Sequence, residues 1–350
     1  MTARDEILVS AFGMPSFLVP WADSFFEPLD ALLVEALAAG PLPEAELLAR
    51  VPGLAFGDLA RAHRRGIVES ESGDQMDAPA IIGLADFHAR FDIWATFEGW
   101  KDIPADVAER LNEWELEHYT ARVSADVTAL RDGCDQPGGD ADLSYLLLGE
   151  AEAVIREAPR VYLWPCDCRA MFRRCRKPLD VCLRVDDERG LGWEISRERA
   201  VEILRETDRA GLMHTGYGDP AAGMAGGICN CCTDCCFPHL AAERLGVSAV
   251  WPRRRYRAAV AAAACTLCGR CVKRCPFAAL SFGEATSDAA EVVASASDGP
   301  ATAAGQRQSL LFSAELCRGC GLCATGCREG AIAMEPLAAG VPGAGSGGAG

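Results

Sequence analysis

The chain has 350 residues, of which 50% are hydrophobic and 24% are charged. Because a chain of this length and composition can bury two or three domain cores, a disordered or fibrous protein is excluded. The formal net charge of −16 argues against general affinity for nucleic acid or anionic membrane, so we expect neither a nucleic-acid partner nor membrane insertion.

Residues 1–85 have the pattern of three helices followed by a hairpin. Apolar residues from Leu29 to Leu37 recur with helical spacing, and Gly40-Pro41 ends that helix. Further helices are predicted from Glu44 to Val51 and from Phe56 to Arg65, and two strands are predicted around a turn at Gly73-Asp74. This order resembles a winged-helix domain.

Winged helices commonly bind DNA through the third helix, which needs positive charge. Here Arg61, Arg64 and Arg65 lie at the C-terminal end of that helix, where cations also complement the helix dipole. Residues 1–150 hold 10 Lys/Arg against 28 Asp/Glu, a net charge of −18. We therefore favour a protein-docking or structural role over DNA binding for this domain.

Residues 86–158 are predicted to form a helical extension, because aromatic residues between Phe87 and Val123 recur at spacings near three and four. Residues 159–250 are predicted to form a cysteine-rich α/β domain. Its strands are expected from Val161 to Trp164 and from Leu212 to Tyr217, with a helix from Ile195 to Arg209. The predicted fold class is therefore multidomain α+β.

Seventeen of the eighteen cysteines lie between Cys166 and Cys327, and only Cys134 lies outside. The sequence does not open with a signal-peptide layout, so we expect a cytoplasmic location, where clustered thiols indicate metal or cluster ligands more than disulfides. Nine thiols in the loops of the middle domain are expected to meet in space. We expect them to bind an iron-sulfur cluster of their own, with zinc as the alternative. These are Cys166, Cys168, Cys175, Cys182, Cys229, Cys231, Cys232, Cys235 and Cys236. The adjacent pairs among them are awkward ligands for one iron atom. The two thiols of a pair could bind two different irons, or one could ligate while its neighbour is reactive and forms a disulfide or persulfide.

The remaining eight cysteines form two runs with identical spacing, C-x2-C-x2-C-x3-C. The first run is Cys265, Cys268, Cys271 and Cys275, and the second is Cys317, Cys320, Cys323 and Cys327. The runs resemble the bacterial two-cluster ferredoxin, and the resemblance implies a ferredoxin-like domain over residues 251–336 with two [4Fe-4S] clusters. Residues 284–308 lack a periodic pattern and are assigned to an insertion, and residues 337–350 to a disordered tail.

The resemblance also implies that the fourth cysteine of each run ligates the cluster held by the other run. Cys275 would then complete the second cluster, and Cys327 the first. Together with the middle-domain segments C-x-C-R and C-N-C-C, the domain resembles a family of uncharacterised iron-sulfur proteins of anaerobes, which implies redox work.

The sequence contains no nucleotide-binding fingerprint and no nucleophile with a neighbouring general base. We therefore favour an electron carrier or an oxidoreductase subunit over a stand-alone enzyme. We expect an electron-transfer protein or oxidoreductase subunit that relays single electrons between a redox partner protein and a third cysteine-ligated centre or a partner enzyme. Two alternatives stay open: a redox-sensing regulator that uses the winged helix, and an oxidoreductase with a catalytic middle cluster.

Overall fold

The computed structural model describes residues 1–71, 80–100, 102–133, 139–217, 225–283, 290–295 and 309–337. The chain divides into two compact units. The first contains residues 1–115, 170–172 and 187–191, and the second contains residues 116–169, 173–186 and 192–350. Helices and sheets are both present, consistent with the α+β class. Among the described helices, none has the length and apolarity needed to cross a membrane.

The first unit contains helices and a small sheet. Its elements are α1 (Ala3–Ser10), a 3-10 helix (Ser16–Trp21), α2 (Ala22–Phe25), α3 (Pro28–Leu37), β1 (Leu42–Pro43), α4 (Glu44–Arg50), α5 (Phe56–Arg64), β2 (Val68–Glu71), β3 (Ile81–Leu84), α6 (Phe87–Ile93), a π-helix (Trp94–Glu98) and the start of α7 (Ala105–Arg131). The three strands form an antiparallel sheet in the order β1-β3-β2. The helices predicted between Leu29 and Arg65 are thus present as α3, α4 and α5, whereas the turn at Gly73-Asp74 lies outside the described residues.

Aromatic side chains form the core of the first unit, as their helical spacing predicted. Phe25, Phe87 and Phe91 are almost fully buried, and the rings of Phe25 and Trp94 lie 4.3 Å apart. Arg90 is buried among them, and its guanidinium binds the Glu98 carboxylate and the backbone oxygen of Phe25. These bonds satisfy a charge that would otherwise destabilise the core.

The second unit is built on a sheet followed by a strand-and-loop region. Its elements after α7 are a 3-10 helix (Gly139–Asp142), β4 (Leu143–Leu146), α8 (Leu148–Glu157), β5 (Tyr162–Pro165), the start of α9 (Asp167–Phe172), β6 (Asp180–Arg184), β7 (Trp193–Glu194), α10 (Arg197–Arg209), β8 (Met213–Tyr217), β9 (Ala225–Cys231), α11 (Phe237–Arg244), β10 (Tyr256–Val260), a 3-10 helix (Ala262–Ala264), α12 (Arg270–Arg274), β11 (Leu280–Gly283), β12 (Glu291–Ser295), β13 (Ser309–Phe312), α13 (Leu322–Thr325) and β14 (Ile332–Pro336).

The sheet of the cysteine-rich region differs from the α/β prediction in three respects. Its six strands, in the order β4-β8-β9-β6-β5-β7, pair only antiparallel, with α8 and α10 packed over the apolar core. The sheet also includes residues before 159, the predicted start of this domain, because β4 pairs with β8 along its whole length. Helix α8 likewise precedes residue 159. Three cysteines that were predicted in loops, Cys182, Cys229 and Cys231, lie instead on β6 and β9.

The C-terminal strands pair across the two cysteine runs. Strand β10 precedes the first run and pairs with β14, which follows the second run. Strand β11 follows the first run and pairs with β13, which precedes the second run. The described part of the predicted insertion is not irregular: β12 (Glu291–Ser295) pairs with β13, and Ala294 is buried in the core. Cys134, the rest of the insertion and residues 338–350 lie outside the described residues.

The two cysteine runs repeat each other in backbone conformation as well as in sequence. Three pairs of positions, each 52 residues apart, have positive φ: Leu267 (55°) and Gly319 (71°), Gly269 (72°) and Gly321 (80°), and Ala278 (53°) and Gly330 (62°). Leu and Ala adopt this left-handed conformation only with strain, whereas Gly does so freely. The fold therefore imposes the same turns on both runs, whichever residue is present.

Ala278 and Gly330 form a matched pair for testing this strain. Replacing Ala278 with Gly is expected to raise the free energy of unfolding by up to about 1 kcal/mol, and Gly330→Ala to lower it by about 1 kcal/mol. A Cβ at residue 330 would meet no atom within 4 Å, so a clash does not contribute. Denaturant unfolding under anaerobic conditions measures both changes, and a less stable Ala278→Gly variant would contradict the strain.

Candidate iron-sulfur and metal centres

The C-terminal repeat brings its eight cysteines together as two groups of four, each around a pocket. The first pocket has about 380 Å³ of empty space, part of it open to solvent, and its thiols are those of Cys265, Cys268, Cys271 and Cys327. The second has about 320 Å³, and its thiols are those of Cys275, Cys317, Cys320 and Cys323. Each pocket therefore takes three thiols from one run and one from the other.

The two groups differ in their access to solvent. Cys268 is exposed, and a hydrogen bond from the backbone N–H of Arg270 lowers the pKa of its thiol. Burial raises the pKa of Cys320 to about 12, and the nearby thiols of Cys275 and Cys317 add to the rise. The first group is therefore open to solvent at Cys268, whereas Cys320 lies deeper in the second unit.

Both groups fit a [4Fe-4S] cluster in donor chemistry and in backbone shape. Four thiols around a pocket are the ligand set of such clusters. The backbone N–H groups of Arg270 and Leu322, equivalent positions in the two runs, bond to the sulfurs of Cys268 and Cys320. Such bonds are the outer contacts that tune a cluster. The backbone at Gly319 packs closely against the backbone of Tyr256, since a Cβ at residue 319 would lie 2.2 Å from the Tyr256 oxygen.

Six of the nine middle cysteines form a closed ring of thiols, which we call the six-cysteine ring. Each thiol shifts the pKa of two neighbouring thiols, and the Sγ atoms of Cys231 and Cys236 share a hydrogen bond of 3.4 Å. Around the ring the order is Cys166, Cys168, Cys236, Cys231, Cys229 and Cys182. The two cysteine segments therefore do meet in space, as the sequence predicted.

The thiol pKa values alternate around the six-cysteine ring. Hydrogen bonds from neighbouring thiols lower the pKa of Cys166, Cys229 and Cys236 well below the usual value. Hydrogen bonds to those neighbours raise the pKa of the other three, Cys168, Cys182 and Cys231. Neighbouring thiols of the ring thus shift each other's pKa in opposite directions.

Strand pairing explains why these six residues meet. Strands β6 and β9 pair with Leu183 opposite Ile228, and continuing this register by one residue places Cys182 opposite Cys229. Cys231 is on the same face of β9 because side chains alternate along a strand. Cys166 and Cys168 follow β5, the other neighbour of β6, and Cys236 precedes α11.

The other three middle cysteines form a separate group, which we call the cysteine triad. The Sγ atom of Cys175 lies 3.9 Å from that of Cys232 and 3.8 Å from that of Cys235, and all three lie within 4.8 Å of one another. The adjacent pairs Cys231-Cys232 and Cys235-Cys236 each contribute one thiol to the ring and one to the triad. This explains how neighbouring cysteines avoid competing for one metal atom.

Arg169 lies between the ring and the triad. Its guanidinium is buried, and it donates to the backbone oxygens of Pro178 and Asn230, while its Nε has no partner among the described residues. Burial by itself lowers the pKa of this side chain, but the thiols of Cys166 and Cys232 outweigh that effect and raise it. Arg169 therefore remains charged and compensates thiolates of both groups.

A buried cluster around Tyr145, which the sequence did not identify as part of a site, joins thiols of the ring to the second ferredoxin group. Its members are Tyr145, Met213, Cys231, Cys236 and Leu322, and Cys320 and Phe277 pack against it. The rings of Phe277 and His239 lie 6.1 Å and 5.8 Å from that of Tyr145. Burial, followed by the thiols Cys320, Cys236 and Cys231, raises the pKa of Tyr145 well above its usual value.

The basic residues at the end of α5 are engaged in contacts within the first unit. Arg61 forms an ion pair with Glu27, and Arg65 binds the buried Asp30 carboxylate at 2.5 Å. Arg64 donates to the backbone oxygen of Gly190. These bonds neutralise part of the positive charge that a DNA-binding helix would present.

A protein-family model described as a 4Fe-4S dicluster domain matches residues 264–331, which include all eight cysteines of the C-terminal repeat. No curated protein and no solved structure matches the chain. The dicluster domain and the cysteine-rich sites indicate an iron-sulfur electron-transfer role.

The unequal thiol environments predict an order of chemical modification in metal-free, reduced protein. Cys268, whose pKa is lowered and which is exposed, should be alkylated by iodoacetamide before Cys271, whose pKa is raised by burial. The rate at Cys268 should rise at lower pH than the rate at Cys271, because its thiolate forms first. Peptide mass spectrometry across pH 6.5 to 9, roughly the titration range of thiols, measures this order, and equal rates would contradict it.

Proposed function

We propose that this protein relays single electrons from a redox partner protein, through two [4Fe-4S] clusters in the C-terminal repeat, to a third iron-sulfur centre held by the six-cysteine ring. When bound, such clusters accept and donate one electron at a time. The observation that carries the proposal is the single buried cluster that contains Tyr145, Cys231 and Cys236 and against which Cys320 packs. The dicluster match supports the C-terminal part.

The exposures of the three groups suggest a direction for the relay. Cys268 faces solvent, so the first ferredoxin group is the side on which a partner protein docks. The second group and the ring are more deeply buried, and the cluster that joins them excludes water: Tyr145, Met213 and Leu322 are each at most 1% exposed. A dry, rigid cluster of this kind keeps the two thiol groups at a fixed separation.

The number of iron atoms tests the third centre. Anaerobically purified protein should contain about 12 or more irons, and the double variant Cys166→Ser, Cys231→Ser should fall to about eight with the spectrum of the ferredoxin pair retained. Cys134→Ser, which changes a cysteine of neither run and neither middle segment, is the matched control and should keep the full count. About eight irons in wild type and double variant alike would overturn the third centre, and colourless protein would overturn the whole proposal.

The relay itself is tested at Tyr145. After rapid mixing with a limiting reductant, freeze-quenched spin-resonance spectra should show the ring centre reduced several-fold more slowly in Tyr145→Ala than in wild type. Tyr145→Phe keeps the packed ring and should match wild type. Unchanged kinetics in Tyr145→Ala, with iron content intact, would show that electrons do not cross this cluster.

A second function, DNA binding by a redox sensor, draws on the three helices and antiparallel sheet of the first unit. The ion pairs of Arg61 and Arg65 and the acidic sequence around them weigh against it. In a mobility-shift assay we expect no binding to random duplex DNA even at low salt. Tight binding that weakens steeply with salt would favour the sensor instead.

A further inference from the structure

The thiol spacing of the cysteine triad matches the ligands of one tetrahedral metal ion. A Zn–S bond is about 2.3 Å long, so two thiolates on one tetrahedral zinc lie about 3.8 Å apart. The Sγ distances from Cys175 to Cys235 and to Cys232 are 3.8 Å and 3.9 Å. The Sγ atoms of Cys232 and Cys235 lie within 4.8 Å of each other, which closes the triangle.

An iron-sulfur cube would need a wider set of ligands. Each thiolate of a cube binds a different iron atom, so its four sulfurs surround a pocket, as they do in the two C-terminal groups. The triad has the compact spacing of a single ion. The six-cysteine ring has more thiols than one tetrahedral ion can bind, and for that reason it suits a polynuclear centre instead.

The triad supplies three ligands, one fewer than a tetrahedral ion takes. Within the described residues, no fourth Cys, His, Asp or Glu completes this set. Three protein ligands with one exchangeable position is the arrangement of reactive rather than structural zinc sites. Cys175 is only half-buried, whereas Cys232 and Cys235 are buried, so a small molecule would approach from the Cys175 side.

A buried cation beside the triad offsets part of the negative charge that an anionic fourth ligand would add. Zinc with three thiolates has one net negative charge, and an anionic fourth ligand adds another. The buried Arg169 guanidinium lies beside Cys232 and offsets this charge, and its Nε has no partner among the described residues. Soft thiolate surroundings favour a soft fourth ligand such as a thiolate.

We propose that Cys175, Cys232 and Cys235 bind one Zn²⁺ ion, separately from the iron-sulfur centres, and that this ion takes a small exogenous thiolate as its fourth ligand beside Arg169. The site is independent of the proposed relay: it is tested by zinc, whereas the relay is tested by iron. We call these three cysteines the zinc site.

Metal content separates the zinc site from the ring. Full-length protein prepared anaerobically with added Zn²⁺ should contain one zinc per chain, and Cys175→Ser should lose it while keeping its iron. Cys168→Ser is the matched control, since both cysteines are partly exposed and Cys168 lies outside the triad: it should keep its zinc. Zinc retained in Cys175→Ser, or iron lost from it in place of zinc, would overturn the proposal.

X-ray absorption at the zinc edge tests the fourth ligand without any substitution, because it detects zinc alone in the presence of iron. Thiol-free wild-type protein should show about three sulfurs at about 2.3 Å and one lighter atom. Adding 2-mercaptoethanol should raise the sulfur number by about one third, to four. Four sulfurs before the addition, or three sulfurs after it, would exclude an exchangeable position open to thiolates.

Discussion

The antiparallel pairing of β6 with β9 is the constraint on which the middle site depends. It sets Cys182 beside Cys229 on one face of the sheet and carries Cys231 to the same face. The other three ring members come from segments joined to these strands or packed against them. Without that register, nine thiols in two distant stretches of sequence would have no reason to separate into a ring of six and a triad.

Strand pairing also builds the sites of the C-terminal repeat, where strands that flank one cysteine run pair with strands that flank the other. Because β10 pairs with β14 and β11 with β13, neither cysteine run can form its pocket alone. Arg274 adds a link between the runs: its Nε donates to the backbone oxygen of Leu322 at 2.7 Å, and its guanidinium also binds the Asp208 carboxylate at 2.9 Å. The ferredoxin pockets are therefore fastened both to each other and to helix α10.

Much of this arrangement could be read from spacing. The C-x2-C-x2-C-x3-C runs predicted two groups of thiols, and helical periodicity predicted α3 and α10 because an apolar face recurs at a fixed interval. Other features depend on tertiary register that a linear pattern does not contain. Tyr145 was assigned to a helical extension because β4 is only four residues long. The division of adjacent cysteines between two groups depends on which face of the sheet each residue of β9 points to, and that is set by strand pairing.

Strand β12 was missed for a different reason. Its sequence, Glu291 to Ser295, is short and lies in a segment rich in Ala, Ser and Asp, so propensity favoured an irregular loop. Pairing with β13 and burial of Ala294 overrode that weak preference. Short edge strands are commonly decided in this way, by the neighbour they pair with.

The left-handed turns shared by the two cysteine runs also bear on descent. Three such turns at a constant offset, in segments that share their cysteines but few other side chains, are the pattern that a duplicated half-domain joined in tandem would leave. Leu267 and Ala278 occupy positions where the other half has glycine. The two halves thus share a main-chain path even where they do not share the residue best suited to it.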